Sequence, residues 1–358
     1  MERLYDYGVL RLFATAVFKE LGADENQADT AARVLLSADL RGVESHGIAR
    51  LSGYIRLCKD GRILISAEPS IIHETPSTAV IDGKMGLGLL VAPYAMEVAI
   101  RKAKDAGTGW VSVQNSSHFG IAGFHSMLAL EHDMIGIAMT NASPTVAPTF
   151  SKTRLLGTNP ISVSIPAGKE SPFISDFATT TAANGKLEVL QRKGMEAPAG
   201  WVQDAEGNPT TDAKALINGG AMLPLGGDRE HGSHKGYMLG GIVDIFSAVL
   251  SGANYGPFVP PFPAYLPMPS FMPGKGIGHF FGAMRIDAFR PAAEFKKDMD
   301  DWIVQFRNAT PVDPMQPVLI PGDPERHLEK VRMMEGIPVN EKVEKDLKEI
   351  GERFGIKL

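Results

Sequence analysis

A chain of 358 residues is longer than one hydrophobic core usually organises, and 44% hydrophobic with 22% charged residues is the balance of a globular enzyme. A net charge of −5 and the lack of any lysine and arginine cluster interleaved with aromatics argue against a nucleic-acid partner. One cysteine, Cys58, rules out an intramolecular disulfide framework; with no signal-like start and no apolar run near the roughly 20 residues a bilayer needs, a cytoplasmic protein without membrane segments is expected.

In chain order, Val9, Leu10, Phe13, Val17, Phe18 and Leu21 recur at helical spacing and stop at Gly22. Asp24 with Gln27 offers a capping box for a second helix carrying Ala28, Ala31, Ala32, Leu35, Leu36 and Leu40, which breaks at Arg41-Gly42 and leaves Glu44 to Gly47 at a helix junction. Thr78 to Asp82 and Thr108 to Val113 read as strands, with a helix over Val91 to Ala106 between them. Met134 to Thr140, Ile161 to Ile165 and Phe173 to Phe177 read as buried strands with no obvious helix between them, which predicts antiparallel or mixed pairing.

Further on, a charged, glycine-punctuated loop from Gly226 to Tyr237 feeds an apolar run from Met238 to Leu250, expected to be a buried helix presenting a ligand loop. Seven prolines in the 17 residues from Pro257 to Pro273 predict an extended surface loop. Two short helices close the chain, one opened by Asp323-Pro324 as cap and first turn, the other carrying Val343, Leu347, Ile350 and Phe354 on one face.

No dinucleotide fingerprint is present: Gly83 to Gly88 has its glycines in the wrong order, and Gly276-Ile277-Gly278 is followed by His279, Phe280 and Phe281 before Gly282. Three polar constellations remain. Arg41 to Arg50 sets His46 four residues from Arg50 with Ser45 beside it, so that a guanidinium can grip a carboxylate while an imidazole handles a proton. Asn115 to Gly120 follows a strand's carboxyl end, where α/β proteins bind ligands. The third surrounds His231, His234 and Lys235. The glycine-rich context of His231 and His234, without a His-Glu-x-x-His motif, argues against a metal site, and no Gly-x-Ser-x-Gly elbow supports a serine nucleophile.

Taken together, Arg41 to Arg50, Asn115 to Gly120, Gly157-Thr158-Asn159-Pro160, Asp176 to Thr180, Gly200-Trp201 with Gly207 to Thr211, and His234 to Tyr237 resemble the type 2 malate/L-lactate dehydrogenase family, in order, from about residue 5 to about residue 330. The resemblance implies an α/β (α+β-like) fold: a non-Rossmann nicotinamide-binding domain on a mostly antiparallel or mixed sheet, and a helix-rich second domain. The expected division is 1–120, joined by 305–358, for substrate and dimerisation, and 121–304 for NAD(P). A homodimer is implied, with NAD as cofactor and NADP possible. By the same resemblance His118 is the general acid/base, with His46 as the alternative, and Ser45, Arg50 and Tyr54 line the substrate pocket. Ser143, Thr158, Asn159, Asp176, Phe177, Ala178, Lys235, Gly322, Asp323 and Pro324 contact the dinucleotide. Arg154, Arg192 and Lys193 are candidate partners for a 2′-phosphate.

The implied reaction interconverts a small malate-like or lactate-like 2-hydroxy acid and its 2-oxo acid, needing orientation, carboxylate binding and one proton from the protein, and no metal. Reduction of sulfopyruvate, diketogulonate or ureidoglycolate-type acids, or of a cyclic imine carboxylate, stays open, as does an inactive dinucleotide-binding protein.

Overall fold

In the computed structural model, which describes residues 2–358 except the side chains of Arg192 and Lys193, a short strand β1 (Glu2–Tyr5) leads into two packed helices, α1 (Tyr7–Glu20) and α2 (Glu25–Leu40). The predicted capping box closes α2: the Asp24 carboxylate accepts from the Gln27 N–H, and the Gln27 side chain accepts from the Asp24 N–H. Two 3-10 turns, Glu44–His46 and Ile48–Arg50, then lead into α3 (Leu51–Lys59). Leu10, Phe13, Phe18, Leu35, Leu36 and Leu51 fill a helical core. It is completed by β12 (Ile337–Asn340), paired antiparallel with β1, and by Val343, Leu347 and Ile350 of α10 (Glu341–Phe354).

The second layer is a seven-stranded mixed sheet. Its strands are β2 (Ser70–Glu74), β3 (Thr78–Asp82), β4 (Thr108–Ser116), β5 (Met134–Thr140), β6 (Ile161–Ile165), β7 (Phe173–Phe177) and β11 (Ile277–Arg285), in the order β2-β3-β4-β11-β5-β6-β7. Only β3 and β4 run parallel, joined by the crossover helix α4 (Gly88–Ala106), and every other pair is antiparallel, β5-β6 and β6-β7 as the absence of intervening helices predicts. The run Gly276 to Gly282, whose spacing fails as a dinucleotide fingerprint, is largely the central strand β11; its glycines serve packing, since a Cβ at Gly282 would lie 2.5 Å from the Trp110 ring.

Helix α5 (Ala122–Met127) packs on β5, β6 and β7, and a third, smaller unit joins α6 (Asn184–Lys193) to the miniature sheet β10-β8-β9, from β8 (Val202–Gln203), β9 (Pro209–Thr210) and β10 (Ala221–Met222). Remaining helices are α7 (Ser233–Asp244), α8 (Ala292–Arg307) and α9 (Asp323–Glu335).

Three expectations are corrected. The apolar run from Met238 is not core in the single chain: Met238, Ile242, Ile245, Val249 and Leu250 of α7 and its π-helical continuation are 45–61% exposed. Asp323 is the first residue of α9 and Gly322, at φ 98°, is its cap. The proline-rich segment 257–273 is not wholly on the surface, because Val259 and Pro261 are buried.

Phe281 sits mid-strand in β11 with no exposed surface, its ring 6.3 Å from Phe119 and 6.1 Å from His279. Phe281→Ala should cost about 3–5 kcal/mol, read as a lower urea midpoint; a midpoint unchanged within error would show the sheet core to be looser than this packing.

Candidate active site

The carboxyl end of β4 passes into the loop 115–120. Asn115 there takes a left-handed conformation (φ 59°) and ties its amide to Asp82 Oδ1 at 2.8 Å. Ser117 fixes the next turn, its Oγ accepting from the Gly88 N–H at 2.8 Å and donating to the Gly86 carbonyl at 3.0 Å. Glycine is required at the start of α4, because a Cβ on Gly88 would lie 2.2 Å from the Ser117 carbonyl and 2.4 Å from that of His118. These contacts set His118 at the top of the sheet.

Helix α3 supplies the partner. Tyr54, with no exposed surface, brings its hydroxyl to 2.6 Å from His118 Nδ1 and 3.4 Å from the His118 carbonyl. One turn before it, Arg50 Nε donates to the Ser45 carbonyl at 2.5 Å, while Nη2 lies 3.5 Å from Glu188 of α6. The Ser45 hydroxyl lies 2.8 Å from His46 Nδ1, and the His46 ring stacks on that of His118 at 5.5 Å and 21°. Beneath this turn the buried Asp39 accepts from the Ile48 N–H at 2.6 Å, and a Cβ on Gly47 would land 2.1 Å from that carboxylate. A glycine at 47 and an acid at 39 therefore shape the His46 loop, a pairing that no local pattern announces.

Burial dominates the electrostatics. It pushes His118 well below the usual imidazole range, with His46, Arg50 and His279 adding to the shift, and it pushes His46 down to about 4, helped by Arg50. Tyr54 is raised by burial and so keeps its proton, and Asp39 is pushed up to about 8 by burial, against the Ile48 N–H. Behind the site, His279 links Thr140 at 2.7 Å and Ser116 at 2.8 Å, and His125 donates through Nε2 to the Phe119 carbonyl at 2.8 Å. Burial lowers these two to about 3 and about 4.

The expected dinucleotide residues fall in several places. Asp176, Phe177, Gly322 and Pro324 line one recess of about 370 Å3 together with Arg41, Ile121, Gly123, Ile174 and Glu325. That is room for part of a nucleotide. Asp176 is open to solvent at the end of β7 yet walled closely enough that desolvation pushes it up to about 6, against the Gly123 N–H, which it accepts at 2.7 Å, and Arg41. Asp323 sits at the start of α9 bonded to Arg326 and Arg307, and Ala178 follows β7. Asn159 is fully buried, its amide spent between the Ala142 N–H and the Gly240 carbonyl; Thr158 meets Thr179 only through its carbonyl. Ser143 accepts from the Phe262 N–H at 3.0 Å. Lys235 is exposed on the first turn of α7.

His231 and His234 do not join the site: His231 is exposed and paired with Asp228, and His234 with Arg229. Arg154 donates to the Gly220 and Leu216 carbonyls, both at 2.6 Å, and the side chains of Arg192 and Lys193 lie outside the described residues. Among the described residues no group of three or more metal-ligating side chains is found, and no helix is long and apolar enough to cross a membrane.

Acid should destabilise this fold. His46, His118, His125 and His279 are neutral when folded, whereas in the unfolded chain they titrate near ~6.5, so below that pH the unfolded state binds more protons. Asp39 and Asp176, and to a smaller extent Asp244, are raised and oppose this, but four histidines outweigh them. The urea midpoint is expected to fall as pH drops from about 6.5 towards about 4, and to fall less in a His125→Asn chain. A midpoint that holds or rises on acidification would contradict the neutral buried histidines.

Comparison with known proteins agrees with the geometry. The sequence profile of the malate/L-lactate dehydrogenase family matches residues 5–348. The chain is 41% identical to a malate dehydrogenase of Pyrococcus horikoshii, over 96% of this chain and 93% of that one, and 39% identical to an L-sulfolactate dehydrogenase of Methanocaldococcus jannaschii, over 96% and 94%. The crystal structure of malate dehydrogenase from Entamoeba histolytica superposes with a TM-score of 0.93 at 34% identity, covering 100% of this chain and 99% of that one. With that profile spanning both the helical layer and the sheet, the chain belongs to the malate/L-lactate dehydrogenase family and is an oxidoreductase.

Proposed function

We propose that the protein interconverts a small malate-like or lactate-like 2-hydroxy acid and its 2-oxo acid with NAD, His118 moving the proton and Arg50 holding the carboxylate. The observation that carries this reading is the 2.6 Å contact between the Tyr54 hydroxyl and His118 Nδ1. A buried hydroxyl there takes the Nδ1–H of a charged imidazole and turns its own proton to the His118 carbonyl, so Nε2 is left for the substrate oxygen. His46, stacked on one face and tied to the half-buried Ser45, is placed to line the pocket rather than to cycle a proton.

Arg50 is pre-oriented by the Ser45 carbonyl, and its Nη1 has no protein partner among the described residues, which suits a bound carboxylate. The nicotinamide supplies or accepts the hydride. In reduction His118 gives Nε2–H to the carbonyl oxygen as that oxygen gains charge; in oxidation it takes the hydroxyl proton back. Its depressed basicity leaves the free enzyme in the neutral form suited to oxidation and makes the charged form a strong acid.

Asp176, Phe177 and the 321–324 turn fit one half of a dinucleotide. With Asp176 and Glu325 on the recess wall and Arg154 already spent on carbonyls, NAD is favoured over NADP, whose 2′-phosphate would face carboxylates. Residues 1–120 with 305–358 would handle substrate and 121–304 the cofactor, with the seven-stranded sheet shared between them. The exposed apolar face of α7 suits a homodimer, and one half-buried cysteine suits the cytoplasm. An Ile245→Glu chain should then sediment as a monomer; an unchanged mass would move the interface elsewhere.

The test is loss of reduced-nicotinamide absorbance with oxaloacetate, pyruvate, sulfopyruvate or a cyclic imine carboxylate. Turnover of a 2-oxo acid is expected, with His118→Asn lowering kcat by about 10²–10⁴-fold while dinucleotide binding persists. Near-normal turnover in that variant would hand the proton to His46, and activity on the imine alone would replace the hydroxy-acid assignment.

A further inference from the structure

One side chain touches the reacting histidine without entering the chemistry above. The proline-rich segment reaches back over the site and lays the Phe262 ring 4.8 Å from His118 and edge-on to Tyr54 at 5.3 Å. The tip of the ring presses on the backbone of α3, because a Cβ on Gly53 would lie 2.6 Å from its Cζ. Three donors and acceptors from separate elements clamp the backbone here. Arg56 donates to the Phe262 carbonyl at 2.5 Å, Arg62 to the Pro261 carbonyl at 2.7 Å, and the Phe262 N–H donates to Ser143 at 3.0 Å. Pro260, Pro261 and Pro263 flank the ring and restrict the chain before any contact forms. Three residues on, Tyr265 bonds Asn184 and lies within electrostatic reach of Glu188, Arg154 and Arg50, so the same segment extends towards the carboxylate-binding end of the pocket as well.

We propose that Phe262 sets the size of the substrate: as a fixed aromatic wall beside His118 it admits 2-oxo acids with a short, unbranched tail and rejects those with a branched or aromatic one. The proposal rests on the 2-hydroxy-acid reading. A freely moving loop would adapt to a larger acid, whereas a proline-stiffened backbone held at three points cannot retreat without leaving two carbonyls and one N–H to find new partners. Selection by such a wall follows from volume alone, and one methylene too many in a closed apolar pocket is already worth roughly 10–200-fold.

The ring has a second, measurable consequence. It is part of what keeps water from His118, whose other neighbours are His46, Arg50, Tyr54 and His279. Removing it hydrates the imidazole and lets it take a proton at higher pH.

The experiment compares kcat/KM with NADH for pyruvate, 2-oxobutanoate, 2-oxo-4-methylpentanoate and phenylpyruvate in the wild-type chain, Phe262→Ala and Arg62→Met. Phe262→Ala should raise the ratio of phenylpyruvate to pyruvate by at least about 10-fold and shift the histidine-controlled limb of the pH profile upward. Arg62→Met, which loosens the clamp from outside the pocket, should move the ratio the same way by less. Equal losses on all four acids with an unmoved pH limb would reduce Phe262 to a packing residue and overturn the inference alone. A wild-type chain that turns over none of the 2-oxo acids, on this series or with oxaloacetate and sulfopyruvate, would overturn both the inference and the reading beneath it.

Discussion

The contact on which the site depends is that between Tyr54 and His118, because it is where the two layers of the molecule meet. Tyr54 belongs to a helix of the N-terminal core; His118 belongs to a loop held by the sheet and by the first turn of α4. Neither layer alone can orient the imidazole. A phenol placed 2.6 Å from Nδ1 in a low-dielectric setting fixes which nitrogen is held by the protein and which is left open, and it does so only while α3 and β4 keep their registers. Much of the surrounding structure follows from that demand. Gly88 and Ser117 hold the loop down, Gly47 lets the His46 turn settle on Asp39, and Gly185 allows α6 to approach within van der Waals reach of Ser45.

Most of the fold was legible because its signals are local. Period-two runs from Thr78, Met134, Ile161 and Phe173 became strands with those limits, and the Asp24 box became a helix cap, since alternation and capping are decided by neighbours in sequence. The central strand β11 escaped for an equally physical reason. Buried on both faces over most of its length, it shows an apolar run broken by His279, with glycines where rings and backbone crowd it, which imitates a glycine-rich loop. Strands β1 and β12 escaped because each is short and finds its partner more than 330 residues away.

The site was legible in part. His46, Arg50 and Tyr54 follow one another along a junction and a helix, and His118 follows a strand, so the resemblance could name them all and the structure brings them together. What the sequence hid were the supports: Asp39, buried beneath Gly47 and Ile48, and Phe262, delivered by a segment whose composition says only that it is neither helix nor central strand. Asn159 was legible as a polar residue in a motif, yet its amide is used up on backbone and its role is to hold the approach of β6 to α7. A motif names residues that matter without saying whether they touch a ligand or hold those that do.

The apolar run after Lys235 shows how the same ambiguity extends beyond one chain. Its hydrophobicity implied burial, yet Met238, Ile242, Ile245 and Val249 face outward in the single chain while Gly240 and Val243 pack inward. A helix apolar on more than one side must hide both faces, and one chain supplies cover for only one of them. The inward face also carries the Gly240 carbonyl that accepts from the Asn159 amide, and the Asn159 carbonyl in turn accepts from the Thr179 hydroxyl, so a path of hydrogen bonds three residues long ties the position of this helix to the end of β7.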